Sequence, residues 1–159
     1  MASDASEMFM NEAIALSGKN LELMHGGPFG AVVVREGQVI GRGYNQVVLA
    51  NDPTAHAEIM AIRDACRNIG SYQLDDCHIY SSCEPCPMCL GAIYWARPAR
   101  LFYACTRHDA GLIGFDDHHF HQEMQRPESR RSIITSQIMR NRAFEIFQKW
   151  LEKSKTPAY

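Results

Sequence analysis

Two short motifs, well separated along the chain, limit how it can fold: His56-Ala57-Glu58 and Pro85-Cys86-Pro87-Met88-Cys89. One imidazole and two thiols are donors that zinc prefers, and they can share an ion only if the fold brings the two segments together. Three protein ligands leave a tetrahedral zinc with one open position, the arrangement of catalytic rather than structural sites. Glu58, two residues from a ligand, is a carboxylate suited to moving protons for a water activated at such a metal. Cys86 and Cys89 are three apart and share one face of a first helical turn. The positive end of a helix there favours the thiolate that zinc requires. Two helix starts converging at one end of an open α/β sheet satisfy all of these demands.

The rest of the chain supplies such a sheet. Residues 4–24 place Met8, Leu16, Leu21 and Met24 among small and polar residues, predicting an amphipathic helix that Gly26-Gly27-Pro28 ends. Gly30–Arg35 and Val39–Gly43 flank Glu36-Gly37, a hairpin signal. Asn51-Asp52-Pro53-Thr54 offers a cap and a first-turn proline for a helix running to about Ile69. Cys77–Ser81 reads as a strand, Pro87–Ala96 as a helix and Arg100–Cys105 as a further strand. Ile138, Phe144, Phe147 and Leu151 predict a last helix over about Met139–Lys153, followed by a tail. Helices alternating with strands after a hairpin imply an α/β fold, a mixed sheet with helices on both faces.

Composition narrows the function. At 159 residues, 46% of them hydrophobic and 21% charged, the chain has the make-up of one globular domain spanning 1–159. Its net charge is −2, and the basic spots at Arg126–Arg131 and Arg140–Arg142 are interrupted, so no basic footprint for nucleic acid is visible. A small-molecule substrate is expected instead. No stretch approaches the roughly 18 apolar residues of a membrane span, and the N-terminus lacks a signal-peptide pattern. Six cysteines without a secretory signal predict reduced thiols in the cytoplasm. Cys83 extends the pattern to Cys83-x-x-Cys86-x-x-Cys89, the start of an iron–sulfur motif, but position 93 is Ile where that motif needs a further cysteine nearby. Cys83 therefore reads as the end of a strand, and Cys66, Cys77 and Cys105 as small core residues.

With Pro28-Phe29-Gly30-Ala31, Asn51 to Glu58 and Ser82 to Ala92 in view, the chain resembles the cytidine deaminase-like superfamily of zinc deaminases. Tyr72-Gln-Leu-Asp-Asp76, Ala92 to Pro98, Gly114-Phe-Asp-Asp117, Phe147-Gln-Lys-Trp150 and terminal Tyr159 make it similar to the bacterial guanine deaminases in particular. The resemblance spans nearly the whole chain and is weakest over 119–140. It implies a three-layer α/β/α sandwich, one zinc per subunit held by His56, Cys86 and Cys89, and hydrolysis of guanine to xanthine and ammonia with Glu58 carrying protons. It also implies a homodimer, with a C-terminal helix and tail (about 139–159) able to cover the active site of its own or a neighbouring subunit. For the purine, Asn45 can both donate and accept hydrogen bonds, Asp117 can accept from the base, Phe29 and Trp95 can sandwich the ring, and Tyr159 can serve as a lid. Guanosine, cytosine and tRNA adenosine deaminases are the alternatives within the class, and a non-catalytic zinc module is the alternative outside it. That last option leaves Glu58 unexplained.

Overall fold

The computed structural model describes residues 4–115 and 117–153, and the chain divides into two compact units, one through His118 and one from His119. In the first unit β1 (Gly30–Arg35), β2 (Gln38–Tyr44), β3 (His78–Cys83) and β4 (Arg100–Cys105) form a sheet in the order β2-β1-β3-β4. β1 is antiparallel to β2 and β3, whereas β4 is parallel to β3, so the sheet is mixed, as predicted. The parallel pair is joined by a helical crossover, α5 (Pro87–Ala96), which a hairpin turn could not replace. The β1–β2 hairpin turns on Glu36 (φ 50°) and Gly37 (φ 74°), the two left-handed positions of a type I′ turn.

Helices cover both faces, giving the three layers. α1 (Asp4–Gly18) sets Phe9, Ala13 and Leu16 against Val32, Val34 and Tyr80. On the other face α4 (Ala57–Ile69) and α5 bring Ala57, Ala61, Ala65, Ile93 and Ala96 to Ala31, Val33 and Ile79. β1 is thus buried on both sides, which is why its sequence is an unbroken apolar run rather than an alternation.

Glycines and alanines set the distance between α4 and the sheet. A Cβ on Gly41 would stand 2.5 Å from the Ala61 carbonyl oxygen and 2.6 Å from the Ala65 nitrogen, and one on Gly43 would meet the Ala57 carbonyl closer still. The helix backbone therefore rests directly on β2, along the Ala57-Ala61-Ala65 stripe. Gly43→Ala should push α4 outward and lower stability by about 1–3 kcal/mol, the usual cost of overpacking. Thermal unfolding checks this; an unchanged midpoint would contradict the close contact.

Four details differ from the sequence expectation. The first helix breaks at Lys19, before a short α2 (Asn20–Leu23), because the Asn20 side chain turns inward and donates to the Gly27 and Asn45 carbonyls at 2.8 Å each. Its buried face is consequently Phe9-Ala13-Leu16, and Met8, Leu21 and Met24 are exposed. Asn51 does not start a helix but ends one, α3 (Val47–Ala50), in a left-handed conformation. The Asp52 carboxylate takes both the backbone N–H and the hydroxyl of Thr54, holding that segment in a turn, so α4 begins only at Ala57. Cys105 is exposed rather than core, since it ends β4, the outer strand of the sheet.

Beyond β4, α6 (Arg107–Leu112) starts with a capping box between Thr106 and Asp109. α7 (His118–Gln125) follows. The second unit carries a short 3-10 turn (Glu128–Arg130) and α8 (Arg140–Lys153), which matches the predicted last helix. No residue of α8 is buried, although Phe144, Phe147 and Leu151 form an apolar stripe along it. Among the described residues no helix is long and apolar enough to cross a membrane.

Candidate active site

His56 and Cys86 occupy the same structural position in different helices. Each is an N-cap with extended backbone, at φ −70° and ψ 157° for His56 and φ −64° and ψ 166° for Cys86. Neither side chain caps its own helix. The two side chains instead meet one another, joined by Cys89 from the first turn of α5. His56 Nδ1 lies 3.5 Å from the Sγ of both Cys86 and Cys89. A tetrahedral zinc with ordinary Zn–N and Zn–S bonds separates its nitrogen and sulfur ligands by about 3.6 Å, and both nitrogen–sulfur separations here match that value. It is the one such group of three or more candidate ligands among the described residues.

The electrostatics favour a cation. Cys86 is drawn down to about 4, first by the hydrogen bond from Cys89 and then, against its own burial, by His56. Cys89, the donor in that bond, is pushed above the usual thiol range, with burial and Glu58 adding to the effect. His56 is raised by its hydrogen bond with Cys86, and burial opposes this. At about pH 6, below the ordinary values of both groups, Cys89 and His56 therefore hold protons beside a Cys86 thiolate until metal displaces them. Cys83 stands apart from this cluster. Its Sγ donates to the Thr106 carbonyl at 3.5 Å, and burial holds it up at about 12, as expected of a core thiol.

Glu58 sits in the first turn of α4 and is 6% exposed. Burial, above all, raises its carboxyl from the ordinary value. A carboxyl raised in this way holds a proton more readily than an ordinary carboxylate, as suits a group that must accept one and pass it on. The Ser81 hydroxyl donates to its Oε1 at 3.2 Å.

The expected substrate residues are distributed unevenly. Asn45 is buried, with its N–H on the Phe29 carbonyl, its own carbonyl accepting from Asn20, and its Oδ1 accepting from the Val47 N–H at 3.1 Å. The side-chain oxygen is therefore committed to starting α3, and Nδ2 is the end with hydrogen bonds to offer. Gly26 makes this possible, because a Cβ there would collide with the Asn45 amide. Phe29 stands edge-on to Phe115, with ring centroids 5.1 Å apart, and both rings press on Gly27. Asp117 is half-buried between α6 and α7. Trp95 is 64% exposed, about 9 Å further along the α5 axis than Cys89, and is not gathered into the metal cluster. Tyr159 lies outside the described residues. Two contributors carried no signal in the sequence, Ser81 and Asn20, whose roles are buried hydrogen bonds; Phe115 lay within the Gly114-Phe-Asp-Asp117 run, but its pairing with the distant Phe29 was not visible there.

Residues 3–105 match the family described as the cytidine and deoxycytidylate deaminase zinc-binding region, and this chain belongs to that family. The metal for the His56-Cys86-Cys89 set is accordingly zinc. Within the family, the chain is 50% identical to a guanine deaminase of Bacillus subtilis over 144 residues, covering 91% of this chain and 92% of the relative. The X-ray structure of guanine deaminase from Bacillus subtilis superposes with a TM-score of 0.92 at 48% identity, covering 96% of this chain and 98% of that one. A tRNA-specific adenosine deaminase of Haemophilus influenzae is 35% identical over 155 residues, 96% of this chain and 89% of the relative.

Proposed function

We propose that this protein is a zinc-dependent aminohydrolase that converts guanine and water to xanthine and ammonia. The observation that carries the proposal is the near-complete likeness to a guanine deaminase, at 50% identity, around a three-donor metal site with a buried carboxylate beside it. Zinc held by His56, Cys86 and Cys89 supplies Lewis acidity that brings the pKa of water to about 7. As the oxygen of that water bonds to C2 of the base, Glu58, shielded from solvent, takes one of its protons to N3; it then moves the second proton of the same oxygen to the amine, which leaves as ammonia as the C2 carbonyl forms. Asn45 Nδ2 donates to an acceptor on the purine edge. Asp117 accepts from the guanine amino group or ring N–H. Phe29, with Phe115 behind it, forms one wall of the base pocket and Trp95 contributes another.

Both units serve one deaminase domain in this proposal, and Tyr159 closes the pocket as a lid within a homodimer. The apolar stripe of α8 supports it: an amphipathic helix with no buried residue is built to pack on something. Two cysteines given to the metal and four left as thiols are in keeping with a reducing, cytoplasmic setting. Removing residues 156–159 should raise KM for guanine and leave one zinc per subunit; unchanged kinetics would remove the lid from the mechanism.

The test of function is a substrate panel. Protein carrying one zinc per subunit should release ammonia and form xanthine from guanine, and should leave guanosine, cytosine, adenine and the adenosine of a tRNA anticodon stem unreacted. Preference for the tRNA adenosine would overturn the guanine assignment in favour of the second relative's activity. No turnover of any of these by fully metallated protein would overturn the enzyme assignment itself.

A further inference from the structure

The shuttle carboxylate needs more than burial: a proton acceptor must point at its target, and a long side chain near a metal has several ways to point. Glu58 has few partners to hold it. Apart from its own backbone N–H, its hydrogen bonds come from Ser81, at 3.2 Å, and from Cys89. Cys89 is a member of the metal-binding set, and a thiolate bound to metal has no proton to give. With the site loaded, Ser81 is the side-chain donor left to Glu58 among the described residues.

The placement of Ser81 is equally specific. It lies near the middle of β3, paired with Ala31 of β1 and Tyr103 of β4, and is 2% exposed. Strand alternation sets it on the same face as Ile79, whose neighbours are the alanines of α4 and α5. Hydroxyls in such apolar layers are costly unless a partner takes them, and the partner here is the Glu58 carboxylate. Ser82, on the opposite face, has a purely structural bond to the Gly30 N–H. The two adjacent serines thus divide their work between the two faces of the strand. We infer that Ser81 is a positioning residue for the deamination, its hydroxyl fixing one oxygen of Glu58 so that the other faces the reacting water and base.

This inference rests on the deaminase assignment, and the parent protein's turnover tests that assignment separately. Ser81→Ala should keep one zinc per subunit and a near-parental Tm, lower kcat by about 10-fold and leave KM within about twofold, since misplacing a catalytic group costs rate more than binding. Ser81→Thr, which restores the hydroxyl, should recover most of that kcat. Infrared difference spectra against Glu58→Gln provide a readout independent of turnover: the Glu58 carboxylate band should shift in Ser81→Ala and return in Ser81→Thr. Parental kcat in Ser81→Ala, or an unmoved carboxylate band, would overturn the positioning role. Loss of zinc and of Tm in both variants would also overturn it, assigning Ser81 to packing alone.

Discussion

Glu58→Gln should bind one zinc per subunit as the parent does and lose guanine turnover by about 10²–10⁴-fold, the range that positioned proton transfer contributes. The amide matches the carboxylate in size and still accepts the Ser81 hydrogen bond through its oxygen, so the layer between β3 and α4 stays filled. What disappears is the group that takes a proton from water and returns it to the base. Burial makes the loss severe, because a residue 6% exposed leaves little room for solvent to substitute as base. Metal analysis together with steady-state kinetics reads both halves of the expectation. Retained turnover would exclude Glu58 from the chemistry; lost zinc would mean that it is needed to build the site rather than to run it.

Loading the metal should release about two protons per zinc at pH 6, because each ligand must be free of its proton to coordinate. Cys86, at about 4, is already ionised there, whereas His56 and Cys89 are both raised and still protonated. Apparent zinc affinity should therefore climb by about 10²-fold per pH unit around pH 6, as expected for two displaced protons, and weaken as the solution becomes more acidic. The same numbers set the sign for the metal-free protein. The Cys86 thiol, lowered from 9.0 to about 4 by folding, contributes stability that fades as pH falls towards 4, whereas the raised Cys89 and His56 contribute stability that fades as pH rises. Calorimetry in buffers of different ionisation enthalpy counts the protons, and a count of three would show that Cys86 is not the ionised member. Cys89→Ala should lose the zinc and, with it, all measurable turnover.

Much of this site was legible because its chemistry and its local structure use the same residues. The proline after Cys86 and the spacing to Cys89 gave both a helix start and a ligand pair, and α5 runs over Pro87–Ala96 as expected. Glu36-Gly37 defined the hairpin because few residue pairs tolerate two positive φ angles in succession. The misread points are those where a side chain bonds outside its own element. Asp52 locks Thr54 in a turn and delays α4 to Ala57, while Asn20 abandons the helical pattern to tie down two loops. Cys105 looks like core in an apolar strand, and only the strand order reveals that it lies at the sheet's margin. Asn45 was legible as a polar residue after the hairpin, but not that its oxygen is already spent on α3.

The contact of α4 with β2 through Gly41 and Gly43 has a consequence for altering this protein. His56 is held by main chain resting on main chain, with no rotamer to reset, so changes in the surrounding loops need not disturb the metal. Phe29, Asn45 and Phe115 all lie outside that contact. A mutant library confined to Phe29 and Phe115, since Asn45 also holds the start of α3, would vary the shape around the base while leaving the reaction centre in register. By the same logic, randomising the glycines or Ala57, Ala61 and Ala65 would scramble both at once. The small residues of this chain thus mark a boundary between what selection can vary and what it must leave in place.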